Sequence, residues 1–392
     1  MRIGIYGGTF NPPHLGHIRA AEFAVQALHL DKLLLMPDRI APHKQLPEGS
    51  ASPAQRLQMV ALSAQGLEAV EVSDLELRRE GPSYSYLTVE QIHGLYPDAE
   101  LFLLMGTDMF LSFHTWRNPE RITAHAALGV FCRGEKGERE AILAQKQQME
   151  ALGVRVELIE NPVTAISSTD LRRMLVFRCA GEFLHPDVEK YIYDQGFYGT
   201  ARDLRNLSME DLQETVCGLL KPSRVSHVLG CRQAAEELAK VHGADVTVAA
   251  RAALLHDITK ALDGPLQLTL CRAYGMMLSE FSRQNPKTLH QTTGALVAER
   301  IFGEADAVVE SIRWHTTGKA DMNLLQKIIY VADYMEPNRD FPGVEELRRL
   351  AYEDIDKALQ LGLSMTIEML TQQGRTVSRE SREALAWLRK EE

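Results

Sequence analysis

The chain has 392 residues, of which 45% are hydrophobic and 24% charged, and its formal net charge is −10 at pH 7. This composition is typical of globular proteins and excludes the collagen-like, low-complexity and disordered classes. At ~150 residues per domain the length predicts two or three domains. The acidic balance argues against a partner such as duplex nucleic acid, which requires a basic face.

Neither membrane insertion nor secretion is expected from the sequence. No run of ~18 apolar residues occurs, and the first ten residues lack the basic start and long apolar run of a signal peptide. The five cysteines are far apart in the sequence and form no CxxC motif. These features predict a reduced, cytoplasmic protein that has no membrane partner, no disulfide framework and no zinc knuckle.

Residues 1–198 alternate short β-rich runs with amphipathic stretches. The predicted strands are Ile3–Tyr6, Lys32–Met36, Ala69–Leu75, Leu101–Met105, Ala127–Phe131 and Val154–Ile159. Helical spacing lies between most of them, for example over His17–Leu28 and Ala54–Gly66. Because parallel strands need crossover helices, this alternation predicts an α/β domain with a doubly wound parallel sheet.

The pattern changes after residue 198. A Gly/Tyr-rich stretch leads into a short connector at residues 199–207, and residues 208–392 have long helical periodicities with hardly any β-branched alternation. The clearest helical stretches are Val225–Val241, Val246–Leu255, Lys287–Phe302 and Leu324–Tyr334. The second half is therefore expected to be an all-α domain.

The first predicted strand leads directly into residues 7–17, which read GGTFNPPHLGH. Ligands of doubly wound sheets bind outside the carboxyl ends of the strands, where glycines and a helix N-terminus favour phosphate. His14 and His17 are expected on one helical face, where both imidazoles can donate to the same phosphoryl oxygens. This stretch resembles the HxGH signature of the nucleotidyltransferase superfamily, and its full form resembles the nicotinate-nucleotide adenylyltransferases.

The resemblance covers residues 1–198 and implies a phosphate-binding set. Lys44 follows the second strand in a Pro-His-Lys segment and would neutralise phosphate charge together with His14 and His17. Residues 166–172, which read ISSTDLR, would close the ATP site, with the helix N-terminus and Arg172 on the β- and γ-phosphates. The resemblance implies further substrate-binding residues at Gly8, Thr9, Phe10, Arg133 and Ser168. Arg56, at the start of a helix, is either a ligand or a surface charge.

The resemblance also implies contacts to the pyridine nucleotide. Residues 81–88 resemble the loop of that family, although Ser85 and the residues before Thr88 depart from its pattern. Thr88 and Gly106 would contact substrate, Asp108 would orient it, and Trp116 would form an aromatic wall for the nicotinate ring.

The implied reaction transfers the adenylyl group of ATP, accompanied by Mg²⁺, to nicotinate mononucleotide. The products are deamido-NAD and pyrophosphate, so the reaction belongs to NAD biosynthesis. Such a transfer needs positioning and charge neutralisation and requires no covalent nucleophile. Nicotinamide mononucleotide or phosphopantetheine remains an alternative acceptor.

The second half contains an adjacent His256-Asp257 pair within a predicted helical stretch, Ala249–Leu262. Other histidines precede and follow this pair, and an aspartate comes last. Imidazole and carboxylate ligands suit borderline divalent metals, and ligands on different helices can converge only in the core of a bundle. The order of these residues resembles the HD-domain phosphohydrolases. That family would place one metal on His227, His256, Asp257 and Asp333, and a second on Asp257, His290 and His315.

The sequences around these residues look like the YqeK-type HD hydrolases, which split diadenosine tetraphosphate into two ADP. The resemblance implies two divalent metals. Iron is the expected metal, and manganese, cobalt and zinc are the alternatives. Lys260, Arg313 and Arg339 are candidate phosphate clamps, and His242 is expected to be a structural helix cap.

The first interpretation is a bifunctional enzyme, with homo-oligomerisation left open. The alternatives for the second half are a metal-binding regulatory or dimerisation module and a hydrolase of a different nucleotide.

Overall fold

The computed structural model describes residues 1–40, 45–132, 136–161 and 166–390, and it divides the chain into two compact units, Met1–Arg202 and Asp203–Glu392. The strands of the first unit are β1 (Arg2–Gly8), β2 (Lys32–Pro37), β3 (Val70–Val72), β4 (Glu100–Gly106), β5 (Ala126–Cys132) and β6 (Val156–Glu160). Its helices are α1 (Leu15–Ala27), α2 (Pro53–Ser63), α3 (Leu75–Arg78), α4 (Ser85–Leu95), α5 (Thr107–Leu111), α6 (Pro119–Thr123), α7 (Lys136–Ala151), α8 (Ser168–Val176) and α9 (Pro186–Gln195).

The six strands form one parallel sheet in the order β3-β2-β1-β4-β5-β6. This is the Rossmann-like order, in which the direction of winding reverses between β1 and β4. The α/β doubly wound fold predicted from the sequence is thus confirmed. Ile5 of β1 is level with Leu103 of β4, so the turns after Gly8 and Gly106 leave the same edge of the sheet. Ligands of such sheets bind at this switch point.

Alternate side chains of the strands enter two apolar layers, one on each face of the sheet. Leu34 of β2 belongs to one buried cluster with Leu103, and Leu33 belongs to the other with Phe102. Gly4 permits close packing in the second layer, because a Cβ there would be 2.6 Å from Cδ1 of Leu30. Burial on both faces explains why the strand sequences are continuous apolar runs.

Two predicted strands differ from the observed ones at their ends. The third was expected to reach Leu75, but β3 ends at Val72 and Leu75 begins the short helix α3. The sixth was expected from Val154, but the backbone N–H of Val154 donates to the carbonyl of Met149 at the end of α7. Because that N–H closes the preceding helix, β6 starts only at Val156.

The described residues of the second unit form helices and connecting turns. Its helices are α10 (Met209–Leu219), α11 (Pro222–His242), α12 (Val246–Leu255), α13 (Gly264–Ala273), α14 (Glu280–Gln284), α15 (Leu289–Arg300), α16 (Asp306–Trp314), α17 (Leu324–Met335), α18 (Val344–Glu353), α19 (Ile355–Gln372) and α20 (Arg379–Leu388). The predicted all-α character of this half is confirmed. Across the part of the chain that is described, no helix combines the length and apolarity needed to cross a membrane.

The helix around the His256-Asp257 pair is shorter than the sequence suggests. It was expected to continue to Leu262, but α12 ends at Leu255. The backbone N–H groups of Ile258, Lys260 and Leu262 each donate to a carbonyl three residues earlier, which forms a series of tight turns. The pair therefore lies at the C-terminal end of α12, where tight turns replace the helical bonds to the fourth residue back.

Candidate active sites

The histidine pair of the first unit lies where β1 passes into α1. His14 precedes the helix as its N-cap residue, so the expectation that both histidines lie on a helical face is wrong for His14. The backbone N–H of His14 donates to Nδ1 of His17 at 3.1 Å, and the two ring centroids are 3.6 Å apart. The rings are close because the N-cap residue His14 and the third helical residue, His17, are neighbours in the first turn of α1. Because Nδ1 of His17 accepts this bond, the proton of a neutral His17 is on Nε2.

The turn between β1 and His14 is held by contacts within the unit. The hydroxyl of Thr9 donates to Asp38 at 2.8 Å, and the ring of Phe10 is buried 5.1 Å from the ring of His17. A Cβ on Gly8 would lie 3.2 Å from the Phe10 ring, so glycine permits this close approach. Thr9 and Phe10, carried over as substrate contacts, thus support the histidine pair through their side chains.

Arg56 is neither a surface charge nor a ligand-facing residue, in contrast to both expectations. Its side chain is completely buried, with Nη1 2.5 Å from the carbonyl oxygen of Thr9 and 3.1 Å from Oδ1 of Asp38. Its Nη2 donates to the carbonyl of Asp38 at 2.7 Å. Arg56 therefore fastens the turn after β1 to the end of β2.

Replacing Arg56 by methionine should destabilise the first unit by about 3 kcal/mol, because it leaves the carboxylate of Asp38 without its buried cation. Urea denaturation measures this change in the free energy of unfolding. The control is Arg78→Met, which removes the ion pair of an arginine whose side chain is 77% exposed and should change stability little. Equal stability of the two variants would contradict the inferred role of Arg56.

Arg172 joins the ISSTDLR segment to the histidine turn. Ser167 caps α8 by accepting the N–H of Asp170 at 3.1 Å, and Ser168 is the first helical residue. From this helix Arg172 donates to the carbonyl of Asn11 at 2.8 Å, across 161 residues of sequence. Burial lowers the pKa of the Arg172 guanidinium. A cation and a helix N-terminus thus lie beside the turn that carries His14.

Thr88 does not present its hydroxyl to an open pocket. The side chain is buried, donates to Oε1 of Glu76 at 2.6 Å and accepts from Nη1 of Arg79 at 3.1 Å. Burial raises the pKa of Glu76. Thr88 therefore ties α4 to α3, and its substitution would disturb this contact as well as any bound substrate.

The remaining predicted residues of this site lie along the same side of the sheet or outside the described residues. Gly106 ends β4 and is the N-cap of α5, whose first turn carries the exposed Asp108. Trp116 is half-buried, and its ring is 5.3 Å from that of Phe113. Lys44 and Arg133 lie outside the described residues.

In the second unit, five helices bring all six predicted metal ligands together. His227 lies on α11, His256 and Asp257 directly follow α12, His290 is in the first turn of α15, His315 directly follows α16, and Asp333 is on α17. The four histidines and Asp257 are buried, and the side chain of Asp333 is 19% exposed. The cluster is therefore a largely buried group of titratable side chains inside the helical bundle.

One half of the cluster contains His227, His256 and Asp333. Nε2 of His227 is 3.3 Å from Nε2 of His256 and 3.2 Å from Oδ1 of Asp333. Oδ2 of Asp257 is 3.6 Å from Nε2 of His256. Donor atoms at these separations can surround a single ion.

The other half is formed by His290 and His315, whose Nε2 atoms are 3.1 Å apart. Oδ1 of Asp257 is 3.5 Å from the first of these nitrogens and 3.8 Å from the second. The two oxygens of Asp257 thus face different histidine pairs. Oδ1 is buried and makes no hydrogen bond within the described residues. Its nearest cation is Nζ of Lys260 at 3.7 Å. A buried carboxylate oxygen that lies between imidazoles and lacks a hydrogen bond fits a divalent cation.

The Nε2 atoms point inward because backbone carbonyls hold the other ring nitrogens. Nδ1 of His256, His290 and His315 lies 2.6, 2.8 and 2.7 Å, respectively, from a carbonyl oxygen three residues earlier. A carbonyl can only accept, so Nδ1 carries the proton in each neutral ring. This arrangement fixes the tautomer and leaves Nε2 as the metal-binding atom.

Sequence reasoning missed Arg224 and Glu336, which both contact predicted metal ligands. Oε1 of Glu336 lies 3.2 Å from Nδ1 of His227. It orients this ring in the same way as the backbone carbonyls orient the other three histidines. Gly230 makes room for it, because a Cβ there would overlap a carboxylate oxygen of Glu336. Nε of Arg224 donates to Oδ2 of Asp257 at 2.6 Å. The helical spacing of Arg224 three residues before His227 is the signal that could have identified it.

Two of the three predicted phosphate clamps contact the cluster. Nζ of Lys260 is 2.8 Å from Nε2 of His290, and Nη2 of Arg339 is 2.8 Å from Oδ1 of Asp333. Arg313 donates instead to Glu310 at 2.8 Å and lines a neighbouring cavity of about 150 Å³. Arg224, Lys260 and Arg339 thus form a partly exposed cationic rim around the cluster. His242 lies apart from it, with Nε2 2.7 Å from the carbonyl oxygen of Ala351.

Burial lowers the pKa of His256 and His290 and lowers the pKa of His315 to about 4. Below pH 6.5 the unfolded chain binds protons at these residues that the folded chain does not, so folding stability should fall as pH drops towards 4. Each histidine should contribute about 1.4 kcal/mol per pH unit within its window. Urea denaturation of chelator-treated protein at several pH values measures this slope. His290→Asn should reduce it, and an unchanged slope would contradict the assignment.

Two family models match the chain in succession. Residues 5–174 match the family described as Cytidylyltransferase-like, and residues 224–338 match the HD domain. The chain thus consists of a cytidylyltransferase-like domain followed by an HD domain.

Curated relatives match one half of the chain. A "Probable nicotinate-nucleotide adenylyltransferase" of Desulfatibacillum aliphaticivorans is 36% identical over 219 residues, which is 50% of this chain and 100% of the relative. A relative with the same description from Shewanella putrefaciens is 38% identical over 216 residues, covering 50% of this chain and 99% of the relative.

Among solved structures, one from Clostridium acetobutylicum is described as a "predicted HD superfamily hydrolase involved in NAD metabolism". It is 34% identical, with a TM-score of 0.46, over 47% of this chain and 99% of that chain.

Proposed function

The chain belongs, through its N-terminal half, to the nicotinate-nucleotide adenylyltransferase family, and we propose that this half transfers the adenylyl group of ATP to nicotinate mononucleotide. The products would be deamido-NAD and pyrophosphate. The observation that carries the proposal is the close pair of His14 and His17 at the switch point of the sheet, with Arg172 beside it.

In this reaction the phosphate of nicotinate mononucleotide attacks the α-phosphorus of ATP. Nε2–H of His17 donates to the oxygens of the transferring group, where negative charge increases. Arg172 and the N-terminus of α8 attract the departing pyrophosphate. Mg²⁺ bound to ATP supplies further charge neutralisation. No side chain forms a covalent bond, because positioning and electrostatics suffice for phosphoryl-type transfer.

We infer that the C-terminal half is a metal-dependent phosphohydrolase and that its substrate is diadenosine tetraphosphate, split into two ADP. The convergence of four imidazoles and two carboxylates carries this proposal. His227, His256, Asp257 and Asp333 would hold one divalent metal, and Asp257, His290 and His315 would hold another. The rim formed by Arg224, Lys260 and Arg339 suits a polyanionic substrate.

Two metals, when bound, would supply an activated water and would neutralise the attacked phosphoryl group. The protein contributes the orientation of each imidazole and the carboxylate of Asp257, whose two oxygens face different histidine pairs. Arg224, Lys260 and Arg339 bind the phosphate chain and place one phosphorus at the cluster. The metals would be iron, manganese, cobalt or zinc, which imidazole and carboxylate donors accommodate.

Removal of metal should separate the two activities. After treatment with a chelator and transfer to buffer containing only Mg²⁺, the full chain should lose hydrolysis of diadenosine tetraphosphate and retain adenylyl transfer. Adding back iron, manganese, cobalt or zinc, one at a time, should restore hydrolysis. Identification of the products by chromatography tests the substrate, because symmetric cleavage gives ADP alone. Hydrolysis that survives metal removal would contradict the metal-dependent mechanism.

The acceptor of the first half is tested by offering nicotinate mononucleotide, nicotinamide mononucleotide and phosphopantetheine side by side with ATP. Nicotinate mononucleotide should give the highest kcat/KM. A preference for either of the others would overturn this assignment while leaving the transferase chemistry intact. A chain that binds metal but hydrolyses no dinucleotide would favour a regulatory or dimerisation role for the second half.

A further inference from the structure

We propose that the thiol of Cys231 is a ligand of the metal held by His227, His256 and Asp333, which gives that half of the cluster a sulfur donor. The proposal rests on the proposed metal-binding function of the second half. Cys231 is on α11, four residues after His227, so both side chains leave the same face of the helix.

The distances favour this assignment. Sγ of Cys231 is 3.5 Å from Nε2 of His227, and one donor atom from each of the four residues lies within 4.8 Å of every other. In a tetrahedral site with metal–nitrogen and metal–sulfur bonds of about 2.1 and 2.3 Å, donor atoms lie about 3.4–3.6 Å apart. The separations of 3.3 Å between the two imidazole nitrogens and 3.2 Å between His227 and Asp333 are close to this value. The four donors are therefore close enough to surround one ion together with Oδ2 of Asp257.

The surroundings of Cys231 differ from those of a cysteine that only fills space. Cys179, which is also buried, has its Sγ 3.5 Å from the backbone oxygen and from the sulfur of Met174. Sγ of Cys231 instead lies 3.5 and 3.9 Å from the two ring nitrogens of His227. The thiol is therefore directed at a metal-binding side chain.

The ion pair between Arg224 and Asp257 also supports a sulfur ligand. Arg224 holds Oδ2 of Asp257, the oxygen nearer to His227 and His256, in an ion pair. Arg224 competes with a metal for that oxygen and weakens Asp257 as a ligand on this side, so the thiolate supplies a further negatively charged donor there. The two halves of the cluster then differ in chemistry, because sulfur favours softer ions such as zinc and iron on one side.

The experiment uses the full chain loaded with cobalt(II), whose absorption reports its ligands. A bound thiolate produces a sulfur-to-cobalt charge-transfer band in the near ultraviolet, which nitrogen and oxygen ligands do not. Wild type and the control Cys271→Ser, which changes another buried cysteine, should show the band. Cys231→Ser should lack it and should bind the first equivalent of metal about 10–100-fold more weakly, the range measured when ligand-supporting groups are lost.

Wild-type protein that binds two cobalt ions without the band would overturn the proposal and leave the proposed phosphohydrolase intact. Wild-type protein that binds no metal would overturn both. If Cys231→Ser does not fold, X-ray absorption of the zinc-loaded wild type decides the matter. A sulfur scatterer at about 2.3 Å supports the proposal, and a shell of nitrogen and oxygen alone refutes it.

Discussion

Replacing Asp257 by asparagine should reduce hydrolysis of diadenosine tetraphosphate by more than about 100-fold, the upper range for residues that only support metal ligands. The two oxygens of Asp257 face different histidine pairs. An amide offers one oxygen and no negative charge, so it cannot bridge two cations. Arg224 would also lose its buried partner. Product formation and metal content, measured on the same preparation, show the effect.

The matched control is Asp245→Asn, at the other end of α12. Asp245 caps this helix by accepting two backbone N–H groups, and asparagine is an equally good N-cap residue. This variant should keep both activities and its stability. Adenylyl transfer should be unchanged in Asp257→Asn as well. Loss of both activities there would indicate that Asp257 has a structural role, and full hydrolysis would exclude it as a bridge.

The alternation of strands and helices in the sequence was enough to predict the architecture, and the resemblance to the HD-domain phosphohydrolases implied the proposed metal ligands. Continuous apolar strands separated by amphipathic helices predict a parallel sheet, and the structure has one. Five of the six proposed ligands lie within predicted helical stretches, and His315 lies outside them. Ligands on different helices can converge only in the core of a bundle. These are local patterns with a global consequence.

Contacts between distant segments could not be predicted in the same way. Arg56 lies near the start of a helix, and nothing near it in the sequence indicates that it forms a buried ion pair with Asp38, just after β2. Thr88 matches a substrate-binding loop in the sequence, yet Glu76 takes its hydroxyl. The length of α12 also depends on tertiary context, because a histidine that must present Nε2 inward uses Nδ1 to bind the last turn. Side-chain partners of this kind are set by packing and not by spacing.

The spacing of four residues between His227 and Cys231 is visible in the sequence and indicates that the two side chains are neighbours. A single cysteine without a CxxC partner is usually assigned to the core. On a helix, however, a separation of four residues places the thiol beside the imidazole as reliably as it pairs two histidines. Interpreting each potential ligand together with its neighbours at three and four residues would have identified Arg224 and Cys231 from the sequence.

Replacing His17 by alanine should lower kcat for adenylyl transfer by about 10²–10³-fold, the usual effect of removing one hydrogen-bond donor to a charge that develops in the transition state. The backbone N–H of His14 fixes the His17 ring through Nδ1, so Nε2–H is the donor that is lost. The effect should be on kcat more than on KM, because the charge grows only during transfer. His29→Asn, just beyond the other end of α1, is the control, since asparagine tolerates the positive φ of 48° found there. Dinucleotide hydrolysis should be unchanged in both variants. A rise in KM with unchanged kcat in His17→Ala would contradict transition-state stabilisation and assign His17 to substrate binding alone.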